Sequence, residues 1–224
     1  MPSREPPAAT TPRRGRPSRI DRAQIVAAAR DMDPRTLTMQ AVAERLGVDR
    51  KALNYHVSDR DGLLELVALD VLKTEMGRVS LPDGSDWRQA VRVFARSMRD
   101  GMARTGALFD YVRIPLASGK VMLAPADRLI QTLVGAGFTV EDAARILAFI
   151  AEFIFSSARD LVMTERHGVH PQATEIGRLL DESPAQDLPW LRRVAATGPA
   201  RTADDQLEFD LKILIAGMEQ MLGT

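Results

Sequence analysis

Between Leu37 and Leu64 the chain carries two helix signals in immediate succession, and this limits what it can fold into more than any other feature. Thr38 precedes Met39, Val42, Ala43 and Leu46 at helical spacing, with Gly47 directly after. A hydroxyl start and a glycine stop delimit a short helix. Only Gly47 and Val48 separate it from a second short helix opened by Asp49, in which Ala52 and Leu53 face inward and Tyr55 is a candidate for the same face. Ala43 is small enough for the two helices to approach, Gly47 can take the left-handed turn, and Val48 and Leu53 plug the small core behind it. Two helices so joined form a helix-turn-helix, whose second helix projects into the major groove of DNA.

The flanking sequence is also helical in pattern. Asp21 can cap a first helix over about 21–32, carrying Ile25, Val26 and Ala29 and stopped by Pro34. After Ser58 and Asp59 a long helix with Leu63, Leu64, Leu66, Val67, Val71 and Leu72 runs to about Gly77. Trp87, Val91, Phe94, Ala95, Met98 and Met102 form a further stripe, and Leu129, Leu133 and Val134 another before Gly135 and Gly137. Thr139 with Asp142 reads as a capping box opening a helix over about 140–163, and a last helix covers about 203–222. Residues 164–188 hold Gly168, Pro171, Gly177 and Pro184 among scattered acids and read as a long loop. No segment shows convincing strand alternation, so the expected fold is all-α: a three-helix helix-turn-helix domain plus a larger helical domain.

Charge divides the chain in the same place. The 30 Lys and Arg balance 30 Asp and Glu overall, but residues 1–60 hold 12 basic against 7 acidic side chains, leaving 18 against 23 in the remainder. A net +5 joined to a net −5 suggests a module that meets a polyanion and a larger one with another task. The expected organisation is therefore a flexible basic arm at 1–19, a DNA-binding domain at 20–66 and a ligand-binding and dimerisation domain at 67–224. Cys is absent, which removes disulfides, thiolate nucleophiles and iron–sulfur clusters. No stretch approaches the ~20 apolar residues that span a bilayer, and the N-terminus lacks a signal peptide's apolar core. No membrane association and a cytoplasmic location are expected.

The window Leu37 to Leu64, with its threonine-led helix, Val42-Ala43 before Gly47-Val48, a recognition helix ending in Asn54-Tyr55-His56-Val57 and a charged turn into Leu63-Leu64, resembles the TetR family of bacterial transcriptional repressors, whose pattern there is aromatic-x-His-Phe or -Val. The resemblance is specific over about 20–72. It extends more weakly through Trp87, Gly137-Phe138-Thr139 and the apolar stretch Leu211 to Met218, which are similar to the tetracycline repressor's own regulatory subfamily. One departure is Asn54, where the family usually has Tyr; Asn reads base edges well, so operator choice is what it would alter. From geometry and resemblance together, Arg50 is assigned to guanine, Lys51 to a base or a phosphate, and Ala52 to a thymine methyl. The resemblance makes Tyr55 and His56 backbone-phosphate contacts, His56 fitting a structural role equally. Thr38, Gln40 and Arg60 are expected to clamp phosphates. In the arm, Arg14-Gly15-Arg16-Pro17 suits an A·T-rich minor groove or a plain electrostatic tail.

Ten of the eleven aromatic residues follow residue 86, and with the methionines they give the larger domain a soft interior suited to a drug-sized apolar ligand. Any one of them is also ordinary core. The family's inducer pocket makes Met76, Phe94, Met98, Met102, Phe109, Phe149 and Phe153 the candidates, with Arg113 a partner for a polar group. No His occupies the middle region where the tetracycline repressor holds its drug-linked magnesium; His167 and His170 are expected in the loop, and neither metal nor cofactor is expected. Helices 140–163 and 203–222 carry more apolar surface than one face can bury, so Ile146, Ile150, Ile154, Leu211, Leu214, Ile215 and Met218 are expected at a four-helix homodimer interface. The expected function is a homodimeric repressor on a palindromic operator, released by a small, largely apolar inducer. An activator or an effector-independent regulator of the same fold would show the same motif. An enzyme is disfavoured by the missing Cys, the absence of His in the aromatic region, and the lack of Gly-x-Ser-x-Gly or a phosphate-binding Gly loop.

Overall fold

A computed structural model describes residues 20–81, 84, 86–113, 120–197 and 202–223. The arm, and with it Arg14 and Arg16, lies outside the described residues. Among those described there is no strand. The elements are α1 (Arg22–Ala29), α2 (Met39–Leu46), α3 (Arg50–Leu53), α4 (Arg60–Met76), α5 (Trp87–Ala103), a 3-10 turn (Gly106–Tyr111), α6 (Lys120–Gly135), α7 (Val140–His167), α8 (Pro171–Glu182), α9 (Pro189–Ala196) and α10 (Ala203–Met221).

Local chemistry sets the boundaries. The Asp21 carboxylate accepts from the Gln24 N–H, while the Gln24 side chain returns to the Asp21 N–H and closes a reciprocal cap on α1. At Thr139 the hydroxyl accepts from the Asp142 N–H at 3.0 Å, and the Asp142 carboxylate accepts from that hydroxyl. Asp59 caps α4 through the Gly62 N–H.

The expected loop at 164–188 is largely helix. α7 continues to His167 and stops at Gly168, whose φ of +77° ends it. His170 then caps α8, its Nδ1 accepting from the Gln172 N–H, and Pro171 is the first residue of the new helix. Proline there is a starter rather than a breaker, because its missing N–H is one that the first turn leaves unpaired anyway. Pro189 opens α9 in the same way. His167 is thus in the last turn of α7, while His170 lies in the short link 168–170 as the cap of α8, within 3.4 Å of Asp160.

One contiguous core runs through the molecule. Ile25 and Ala29 of α1, Met39, Val42 and Ala43 of α2 and Leu53 of α3 close on Leu63, Leu64 and Val67 of α4. The same helix carries Leu72 and Met76 into the second half, where α5 packs along α7 and against α6. α4 therefore passes unbroken through the expected domain boundary at 66–67. Trp87 meets Phe138 edge-on at 5.3 Å, joining two segments noted for their family resemblance. Val134, grouped above with Leu129 and Leu133, is partly exposed while they are buried.

α5 and α10 are laced antiparallel by charge. Arg88 pairs with Glu219, Arg92 and Arg96 with Glu208, and Arg99 with Asp204. Arg99 is 4% exposed. Burial alone would lower its pKa, but hydrogen bonds to the Asp204 and Asp100 carboxylates outweigh that and hold the guanidinium charged.

Candidate DNA-reading surface and regulatory interior

The reading surface is built by the turn. Gly47 sits at φ +66°, and its N–H and that of Val48 cap the carbonyls at the end of α2. The Asp49 carboxylate accepts from the Lys51 N–H at 2.7 Å and opens α3. Leu53 is fully buried, and that fixes the rotation of α3. Arg50, Lys51 and Asn54 consequently face solvent, with Ala52 half-buried between them. Among the described residues, the Arg50 and Lys51 side chains make no hydrogen bond or ion pair. Tyr55 is 88% exposed, so it does not share the inward face suggested for it; the buried Val57 takes the place behind the turn.

The residues expected to hold phosphates divide. Thr38 and Gln40 are exposed at the start of α2, but the Thr38 oxygen already accepts from the Ala41 N–H and Gln40 donates to Glu44. Arg60 points inward. Its Nε donates to the Leu37 carbonyl at 2.8 Å and its Nη2 to those of Pro34 and Arg35, stitching the 34–37 loop to the start of α4. Its hydrogen-bond geometry is that of a structural clamp rather than a phosphate contact. His56 is half-buried, and its carbonyl accepts from Arg22 Nε at 3.3 Å. Arg22 tethers the end of the reading segment to α1, a long-range role with no local signature. Arg35 lies exposed beside Asp33, and its hydrogen bonds hold that carboxyl below the usual range.

In the larger half, Met76, Phe94, Met102 and Phe109 are buried and Met98 is half-buried in the continuous core. Met76 also borders a cavity of about 530 Å³ with Val79, Leu81, Val121, Pro125 and Arg128. Phe149 and Phe153 are elsewhere. They line an open groove of about 780 Å³ between α7 and α10, with Ile213, Leu214, Met218 and Met221. Arg113 is also outside the interior: it donates to the Asp110 and Val112 carbonyls and lies 3.9 Å from Glu65, bordering a smaller cavity of about 410 Å³ beside His56 and Gly62.

The faces of α7 and α10 are therefore assigned differently from expectation. Ile150, Ile154 and Leu211 are essentially inaccessible and Ile146, Ile215 and Met218 are buried within the single chain; of the seven residues expected at a partner, Leu214 is half-buried, and it lines the α7–α10 groove together with Ile146 and Met218. Each helix has two apolar stripes. The stripe of Ala143, Ile146, Ile150, Ile154, Ala158 and Val162 is taken by the chain's own core. The adjacent one leaves Phe149 at 55%, Ile213 at 59% and Met221 at 53% exposure.

The family model of the tetracyclin repressor-like C-terminal domain matches residues 81–222. The chain belongs to the TetR family of transcriptional regulators. Over 193 residues it is 27% identical to tetracycline repressor protein class C of Escherichia coli, covering 85% of each chain. Its fold matches a possible TetR family transcriptional regulator from Streptomyces coelicolor A3(2), with a TM-score of 0.70 at 24% identity over 90% of this chain and all of that one. It also matches the Streptomyces coelicolor TetR family protein ActR in complex with actinorhodin, at a TM-score of 0.64 and 26% identity over 89% and 95% of the two chains. Membership agrees with the helix-turn-helix in place at 39–53, and no helix among the described residues is long and apolar enough to cross a membrane.

Proposed function

We propose that this TetR-family chain is a ligand-responsive repressor that binds a palindromic operator as a homodimer and is released by a drug-sized, mostly apolar inducer. The observation that carries the reading is α4. One unbroken helix of 17 residues begins at the clamp behind the reading segment and ends at Met76, beside the cavity in the larger half. A molecule that displaces the end of such a lever changes the attitude of its beginning. ActR, solved with actinorhodin, supports a small-molecule effector for a relative of this fold.

Dimerisation is supported by the second stripes of α7 and α10. Phe149, Phe153, Ile213, Leu214 and Met221 from two copies would complete a four-helix packing over the groove. Two-fold symmetry would then set the reading segments about one turn of DNA, ~34 Å, apart. Within each half-site Arg50 reads guanine, Lys51 a base or phosphate, Asn54 a base edge, and Tyr55 and His56 the backbone. An inducer lowers affinity only by favouring the conformation whose half-site spacing no longer fits, a coupling typically of about 1–3 kcal/mol.

The test begins with DNA selected by the full chain from a random pool. Sequences with two inverted half-sites, bound at two chains per duplex and released by a compound that raises the melting temperature, support the reading. A single half-site bound by one chain overturns the dimeric operator, and stabilising compounds that leave DNA affinity unchanged overturn induction.

A further inference from the structure

Among the described residues only Glu75, Arg99 and Thr105 are buried polar or charged side chains. Arg99 belongs to the α5–α10 ladder. Glu75 does something different: it is the penultimate residue of α4, and its carboxylate is held from two sides. Oε1 accepts from Arg78 Nη1 and Oε2 from Arg104 Nε, each at 2.6 Å. Arg104 is the residue on which α5 ends, and it leads through the buried Thr105 and Gly106 (φ +55°) into the 3-10 turn that buries Leu108 and Phe109. The end of α4 is thus fastened to the end of α5, where the path turns into the interior.

Steric contact reinforces the charge. A Cβ placed on Gly101 of α5 would lie 2.8 Å from Met76 Cε and 3.2 Å from Glu75 Cβ, so the two helices touch through a glycine. Met76 also borders the 530 Å³ cavity. Any molecule that moves Met76 therefore acts on the contact that Glu75 and Arg104 lock. Among the described residues, further polar links between the modules are exposed, namely Arg30 with Asp70 and Thr74, and Glu65 with Arg113 at 3.9 Å. Water screens such pairs; in the Glu75–Arg104 pair the Glu75 side chain is 8% exposed although that of Arg104 is half exposed, and loss of Arg104 leaves the carboxylate to Arg78 alone.

We infer that Glu75 and Arg104 are positioning residues: their ion pair sets the angle of α4, and through it the placement of the reading segment against the regulatory half. The inference rests on the proposed ligand-responsive regulator for its biological meaning, but its first test needs neither DNA nor ligand. The chain has no cysteine, so Glu44→Cys and Lys212→Cys, both at exposed positions, accept spin labels specifically. Labelled chain diluted into unlabelled chain reports the distance from α2 to α10 by pulsed electron resonance.

The parent should give one narrow distribution. Because α4 is about 25 Å long, a small tilt at Met76 is carried to its start, and Glu75→Gln or Arg104→Gln should broaden or displace that distribution. Gly101→Ala should displace it too, through the 3.2 Å approach of the new methyl to Glu75 Cβ and the shift forced on Met76, with the charges intact. Arg104→Lys, which restores the charge, should recover most of the parent distribution. If the neutral variants do not fold, Gly101→Ala and Arg104→Lys carry the test. Distributions for the folded variants that superimpose on the parent's overturn the inference.

Affinity for DNA selected by the parent gives the second reading. Glu75→Gln and Arg104→Gln should each change it on the order of tenfold, and the double variant no more than either single, as for two halves of one contact. A fall in melting temperature with affinity and distance both unchanged would make the pair merely structural and refute the inference. Failure of the parent to select any DNA would refute the DNA-binding reading instead, and leaves the distance result to stand.

Discussion

Replacing Phe149 by Ala tests the proposal that the Phe149 face of α7 meets a second copy. Phe149 is 55% exposed in the single chain and lines the α7–α10 groove. A phenylalanine buries about 150–250 Å² when fully covered, so a partner seated on the groove would cover roughly a further 100 Å² of it. At about 25 cal/mol per Å² this is ~2.5 kcal/mol, and somewhat less is lost on truncation because Ala keeps its Cβ. In an isologous dimer the change occurs twice. The dimer should therefore weaken by about 4 kcal/mol, close to a thousandfold in dissociation constant. Sedimentation equilibrium over a broad concentration range measures that loss. Unfolding of the monomer should hardly change, since the ring is already half in water. Ile150→Ala is the counterpart: Ile150 is completely buried in the chain's own core, so it should lower folding stability by about 2–5 kcal/mol before it affects association. If Phe149→Ala leaves the dissociation constant unchanged, or Ile150→Ala weakens the dimer without destabilising the fold, the assignment of the two stripes is wrong.

The DNA surface makes sharper distinctions. Arg50→Ala should cost about 1–3 kcal/mol on selected DNA and much less on random DNA in gel-shift titrations; equal loss on both removes Arg50 from base reading. Arg60→Ala removes three bonds to carbonyls of the 34–37 loop and should destabilise the fold by about 1–3 kcal/mol in denaturant titration. It should leave the salt dependence of DNA affinity as it was, where loss of a phosphate contact would flatten the log–log slope by ~0.9. Removal of residues 1–19, with Arg13, Arg14, Arg16 and Arg19, should flatten that slope visibly, and an unchanged slope excludes the arm from the complex.

Much of the fold was legible because its signals are local. Asp21, Thr38, Asp49 and Asp59 cap the helices that follow them, and Gly47 takes the left-handed turn its position suggested, because each acts on backbone groups two or three residues away. Leu53 is buried and Arg50, Lys51 and Asn54 are exposed for the same reason: on a helix of four residues, one inward side chain fixes the direction of all the others. The stretch 164–188 departs from the expected loop because a proline such as Pro171 can either interrupt a helix or begin one, and composition does not separate those roles.

Long-range placement was not in the sequence. Phe149 and Ile150 are neighbours of similar hydrophobicity, yet one faces an open groove and the other the core. The periodicity of α7 is satisfied by either stripe, and only the positions of α5 and α6 against it decide which is consumed. Arg60 and Arg113 read alike as cations available to a ligand. Each instead turns to backbone carbonyls brought within reach by a loop or the 3-10 turn. Residue types and spacing by themselves determined the all-α fold, the helix-turn-helix and its outward residues, since those follow from interactions within a few residues. Which apolar face is spent inside the chain, and the meeting of Glu75 with Arg104 across 29 positions, were decided by the tertiary structure, because they depend on how helices distant in sequence pack.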